Sequence, residues 1–169
     1  MTRLLALILV AVVGASPVFA EEGWKDLFNG KNLRGWESKN GEAIYTVENG
    51  TIVGTTVPGE PNSFLCTKKE YEDFILEFEF FGSPTMNSGV MFRALSFAEY
   101  KNYRVHGYQC ELEDEGQGRD WSGGIYDEAR RGWLYPMKGD EAWGKTFGEQ
   151  SKSIWKDGEW NVIRIRCEG

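Results

Sequence analysis

Apolar residues return at every second position in several separate runs of this chain. Between Asp73 and Phe81, Phe74, Leu76, Phe78 and Phe80 fall on one face and Glu77 and Glu79 on the other. From Asn161 to Cys167, Ile163, Ile165 and Cys167 alternate with Val162, Arg164 and Arg166. From Tyr103 to Asp114, His106, Tyr108, Cys110 and Leu112 alternate with Gln109, Glu111 and Glu113. Gly89 to Arg93 sets Val90 and Phe92 against Met91 and Arg93. Period two is the signature of half-buried strands, whose side chains leave the backbone on opposite faces in turn. Ala43 to Glu48 and Thr51 to Thr55 flank Asn49-Gly50, a pair that tolerates the positive φ of a tight hairpin. Asn49-Gly50-Thr51 also spells a glycosylation sequon, but the turn accounts for it. No long stretch holds a helical period, and only Phe97 to Lys101 reads as a single helical turn. The expectation is an all-β fold, an antiparallel sandwich of two sheets.

The chain's 169 residues fit one domain. Its 26 acidic residues outnumber 19 basic ones, for a net charge of −7. That balance argues against a nucleic-acid partner, which needs a basic stripe to displace phosphate counterions. One histidine leaves no imidazole pair for a conventional zinc site. There is no phosphate-cradling glycine loop with a lysine, no dinucleotide fingerprint and no Gly-x-Ser-x-Gly elbow. His106 shares the parity of Cys110 and Leu112, so it reads as a satisfied core residue. Cys66, Cys110 and Cys167 lie in strand-like runs and read as three thiols acting as small hydrophobes, although two of them could bridge after export.

Residues 1–20 read as an export signal that lies outside the fold. Arg3 gives a positive start, Leu4 to Val13 an apolar run, and Val18-Phe19-Ala20 a cleavage site ahead of Glu21. The run is too short for a stable membrane anchor. The domain would then span 21–169, in the periplasm or outside the cell.

Polar candidates follow from the strand faces. Gln109, Glu111 and Glu113 project together, and Arg93 projects away from Val90 and Phe92. If the two strands are neighbours, Arg93 and Glu111 share a face, as an acid–base or binding pair or as a plain cross-strand ion pair. The segment Trp121 to Trp133 packs Tyr126, Asp127, Glu128, Arg130 and Arg131 between aromatic ends, with Tyr135 and Trp143 beyond. Aromatic faces beside planar hydrogen-bonding groups suit a sugar, whose C–H faces stack while its hydroxyls are fixed. Core packing is the commoner account of any one tryptophan, and the clustering beside charges is what favours a site.

Four motifs in order, GWKDLFNGKNLRGW (Gly23 to Trp36), NSGVMFR (Asn87 to Arg93), GYQCELED (Gly107 to Asp114) and GGIYDEARRGWL (Gly123 to Leu134), resemble the 3-keto-disaccharide hydrolase family. GEWNVIRIRCEG (Gly158 to Gly169) is similar in character. The resemblance implies a concanavalin A-like jelly-roll sandwich with a carbohydrate site on its concave face. It implies export, further strands beyond Gly169, and hydrolysis of glycosides oxidised to a ketone at C3. Many members carry Glu then Gln where this chain has Gln109 and Glu111. A C3 ketone acidifies the C2 proton, so a base there can expel the C1 substituent, after which water adds back. In that scheme Glu111 is the base, Arg93 and Arg131 stabilise the enolate, and Asp127 or Glu128 is the acid or a ligand to a divalent ion. Gln109, Tyr126, Arg131, Trp121 and Trp133 would bind the substrate, a 3-keto-glycoside. A non-catalytic carbohydrate-binding sandwich is the alternative reading of the same face.

Overall fold

The structure is a computed structural model and describes residues 7–11, 23–83, 86–113 and 119–169. Among these are eleven strands: β1 Leu7–Ala11, β2 Trp36–Lys39, β3 Ile44–Glu48, β4 Thr51–Thr55, β5 Phe64–Thr67, β6 Phe74–Phe81, β7 Asn87–Leu95, β8 His106–Glu113, β9 Ile125–Glu128, β10 Gly132–Tyr135 and β11 Asn161–Cys167. One helix, α1, spans Glu141–Ile154. The strands form an antiparallel five-stranded sheet in the order β11-β6-β1-β4-β3, a four-stranded sheet β10-β9-β8-β7, and a small β2-β5 pair.

Alternation decides how the two larger sheets meet. Phe78 and Phe80 from β6 and Ile165 and Cys167 from β11 pack with Cys110 and Leu112 from β8, with Val90 and Phe92 of β7 against them. Burying each large apolar side chain contributes about 1.5–3 kcal/mol. The chain is therefore an all-β sandwich. On the solvent side of the five-stranded sheet, Arg164 faces its register partner Glu77 and donates to it at 2.7 Å. At the β3–β4 turn Asn49 and Gly50 both have positive φ, 51° and 79°, which matches the right-handed twist of the flanking strands.

Two expectations change, on the helical turn and on the absence of a longer helix, and the apolar run near the N-terminus takes part in a sheet. Leu7–Ala11, inside the run read as an export signal, pairs with Thr51–Thr55 of β4 and with Glu79–Phe81 of β6. A signal core and a strand with neighbours on both sides are both short apolar runs, so periodicity does not separate them. Arg3 and the cleavage site lie outside the described residues. Phe97 to Lys101 forms turns rather than a helical turn. The helix arises instead at Glu141–Ile154, where Asp140 caps it by accepting from the Trp143 N–H at 2.9 Å. Its buried positions are Gly144, Gly148 and Ser151, so its inward face carries no apolar period to read. Cys66 is half-buried and Cys110 and Cys167 are buried, all as free thiols. Burial pushes the Cys110 thiol up to about 11, which keeps it inert at neutral pH.

Candidate active site

On β8 the residues that do not enter the core, Gln109, Glu111 and Glu113, face away from Cys110 and Leu112. Glu111 has a glycine beside it on either side, one on β7 and one just before β9. Gly89 is its register partner on β7, and on the β9 side its N–H donates to the Gly124 carbonyl at 2.8 Å. A Cβ at Gly89 would stand 2.5 Å from Cγ of Gln109, so the missing side chain is what lets Gln109 lie there. Gln109 Nε2 donates to Glu111 Oε2 at 2.8 Å, and Asn87 Nδ2 donates to Oε1 at 2.6 Å. Glu111 is only 2% exposed. Burial raises its pKa above the ordinary carboxylate range, and the charge of Glu113 adds to the rise; the donors Gln109 and Asn87 and the Arg119 cation offset part of it.

Glu113 is held more tightly. Its Oε1 accepts from Arg119 Nε at 3.1 Å and from the Trp121 N–H at 2.7 Å, and its Oε2 accepts from Arg119 Nη2 at 2.6 Å. The same Nη2 lies 3.6 Å from Glu111 Oε1. One guanidinium thus bridges two buried carboxylates. It stacks 4.9 Å over the Trp133 ring and 5.7 Å from that of Trp121, and the two indoles meet edge to face at 4.7 Å. Tyr126 stands opposite Gln109 in the β8–β9 register and packs on Trp133 at 5.3 Å. Helix α1 braces this wall. The Gly144 carbonyl accepts from Trp121 Nε1 at 3.0 Å, and a Cβ on Gly144 would stand 2.8 Å from the Trp121 ring. Ser151 donates to the Ser122 carbonyl at 2.8 Å, and Ser122 hydrogen-bonds both backbone groups of Glu113.

These residues form a cluster on the outer face of the four-stranded sheet in which a carboxylate of raised proton affinity, amide donors, a cation and aromatic rings meet. The family model described as the 3-keto-alpha-glucoside-1,2-lyase-like domain matches residues 23–169. The chain belongs to this family. No curated protein matches it. A carbohydrate-related function follows from membership of the 3-keto-alpha-glucoside-1,2-lyase-like family.

In this member of the family the polar candidates separate into four places. Gln109, Glu111, Tyr126, Trp121 and Trp133 come together, joined by Glu113, which shares the face of Gln109 and Glu111, and by Asn87 and Arg119, which the strand pattern did not single out. Arg93 does not share the site. The β7–β8 register slips between Phe92 and Leu95, and Arg93 takes a left-handed φ of 50°. That bulge re-aims its side chain to Asp73, at 2.8 Å, just before β6 of the opposite sheet. Asp127 and Arg131 also lie elsewhere. Asp127 pairs with Tyr108, which has core parity, and is fully buried at the β9–β10 turn. It accepts from Arg130 Nε at 2.6 Å and from Arg131 Nε. Burial alone would raise its pKa, but the two arginines outweigh burial and hold it below the ordinary range. Glu128 keeps the parity of Tyr126 but stands opposite Gly107, four β8 positions from Glu111 or about 13 Å along the strand. Arg104 donates to it at 2.5 Å.

Among the described residues, no three His, Cys, Asp or Glu side chains converge as ligands to a metal ion. Where Glu111 and Glu113 approach each other, Arg119 occupies the position a cation would take. Among the described residues, this cluster therefore does not fit the divalent ion that the resemblance allows. A surface hollow lined by Asp73, Phe74, Ile75, Cys167 and Glu168 belongs to the five-stranded sheet and not to this cluster. Among the described residues no helix is long and apolar enough to cross a membrane.

Proposed function

We propose that the outer face of the four-stranded sheet cleaves 3-keto-glycosides by elimination across C1 and C2, followed by hydration, with Glu111 as the base. The observation that carries this reading is the buried Glu111 carboxylate, whose proton affinity is raised while amide donors fix both of its oxygens. A base of raised pKa is better matched to a weakly acidic carbon acid, provided it is ionised at the working pH. Each carboxylate oxygen accepts more than one hydrogen bond, so Asn87 and Gln109 orient Glu111 without exhausting its lone pairs.

The steps balance. Glu111 takes the C2 proton, and the C–H electrons pass into the C2–C3 bond and onto the ketone oxygen. The enolate collapses, the ketone re-forms, C1=C2 forms and the C1–oxygen bond to the aglycone breaks. The leaving oxygen takes a proton, and water then adds across C1=C2 to give the free 3-keto sugar. Tyr126 and the Trp121–Trp133 pair supply the wall against which the ring lies. Residues 1–20 serve in this reading as an export leader. N-terminal sequencing of protein from its native host tests that, because a chain beginning at Glu21 lacks β1.

Replacing Glu111 by Gln keeps length and removes the base; its new NH2 finds an acceptor once the amide of Asn87 or Gln109 turns over. Aglycone release from a 4-nitrophenyl 3-keto-α-glucoside should fall by about 10²-fold or more. Affinity for the keto sugar, followed by calorimetry, should change little. Equal loss of binding and turnover would instead favour a carbohydrate-binding module.

A further inference from the structure

We propose that Arg119 is the electrophile that takes up the enolate charge, and that Glu113 is the residue that positions it. This rests on the elimination reading above and assigns a role that reading leaves open. Proton removal at C2 places negative charge on the oxygen of the adjacent carbon, so base and electrophile must be neighbours. Arg119 Nη2 stands 3.6 Å from Glu111 Oε1, whereas Arg93 is bound to Asp73 on the opposite sheet. The Arg119 side chain is 36% exposed, while those of Glu111 and Glu113 are 3% and 0% exposed. The cation is therefore the charged member of the cluster that faces an incoming sugar.

Its orientation is fixed from two sides. Glu113 takes the Nε and Nη2 edge of the fork, at 3.1 and 2.6 Å, and the Trp133 ring lies 4.9 Å from the guanidinium carbon. Nη1 is the end of the fork that Glu113 does not take, and it is the end offered to the substrate oxygen. Glu113 is in turn tied to the Trp121 N–H and through Ser122 to α1, so the donor is set before substrate arrives. A donor fixed in advance needs no reorganisation as charge develops.

The test compares the full chain with Arg119→Lys, Glu113→Gln and Glu111→Gln, on 4-nitrophenyl 3-keto-α-glucoside, with C2 hydrogen–deuterium exchange as a second readout. Lysine keeps the charge but not the planar fork. For Arg119→Lys, kcat and C2 exchange should fall together by about 10²-fold, the usual loss for one oxyanion donor, with KM within about threefold. Glu113→Gln should lower kcat by about tenfold at unchanged KM, since the donor is present but no longer clamped. If Arg119→Lys does not fold, the paired variant Arg119→Gln with Glu113→Gln removes both charges and carries the same test. A normal kcat in Arg119→Lys, or a change confined to KM, overturns the assignment. A wild-type chain that releases no aglycone overturns the elimination and this role with it. Loss in Arg119→Lys but not in Glu111→Gln refutes Glu111 as base and leaves Arg119 supported.

Discussion

Two clusters of buried carboxylate and arginine lie on the four-stranded sheet, and their charge ratios are reversed. At the β9–β10 turn one acid, Asp127, faces two arginines, Arg130 and Arg131. On the outer face of β8 two acids, Glu111 and Glu113, share one, Arg119. Burial works against both ionised acids, yet the Asp127 pKa ends below the ordinary range and that of Glu111 above it. The number of cations per buried acid, more than burial itself, separates a permanent ionic latch from a group able to take a proton.

The comparison breaks most visibly at the latch. Asp127→Asn should destabilise the fold by about 2 kcal/mol, because hydrogen bonds to charged groups contribute about 1.5–3 kcal/mol and both arginines are partly exposed. For a chain of this size that lowers Tm by roughly 4–8 °C. Turnover per folded molecule should be unchanged. The deficit should shrink at acid pH: a depressed folded pKa contributes stability above the unfolded value, and that contribution is lost as pH falls through the folded one. A loss of kcat with Tm intact would return Asp127 to the site.

Glu111→Gln should move stability the other way. Its folded pKa is raised, so the wild-type chain bears an ionisation penalty at neutral pH that is absent below the unfolded value. The variant should melt a few degrees higher at pH 7, with the gap closing as pH approaches the ordinary carboxylate range. Wild-type activity should fall away on the acid side above that range, as Glu111 takes up its proton. Equal melting temperatures at both pH values would count against a strained base.

The smallest effect concerns the brace. In Gly144→Ala the new Cβ would stand 2.8 Å from the Trp121 ring, while helix propensity improves by about 1 kcal/mol. The two terms nearly cancel in Tm, but Trp121 must shift, so kcat should fall a few-fold. An unchanged kcat would show that α1 only covers the wall.

Much of the sandwich was legible because burial on one face of a strand writes itself as period two. Phe74–Phe81 and Asn161–Cys167 read directly. Parity on β8 likewise put Gln109 and Glu111 on a face opposite Cys110. Parity fails where the backbone leaves the regular strand. It assigned Arg93 to the face of Met91, and the bulge after Phe92 moved it to the other sheet. Arg119 sits in a loop with no period, six residues from the carboxylate it holds, and its only signal was a lone cation between glycines and Trp121. Helix α1 was invisible for a different reason: its inner face is Gly144, Gly148 and Ser151, selected for close approach rather than hydrophobicity. The Asp140 cap, with Glu141 in the first turn and Lys152 in the last, was the signal available.

The guanidinium stacked on Trp133 and near Trp121 has an optical consequence. An indole's excited state carries a larger dipole than its ground state, so its emission colour follows the local electric field. Arg119 places a unit charge 4.9 Å from one indole and 5.7 Å from the other. A substrate oxygen that bonds to this cation changes the field at both rings without moving it far. Such a bond to Arg119 therefore shifts the native fluorescence of this pair, and the protein carries its own dye at the place where its charge would be used.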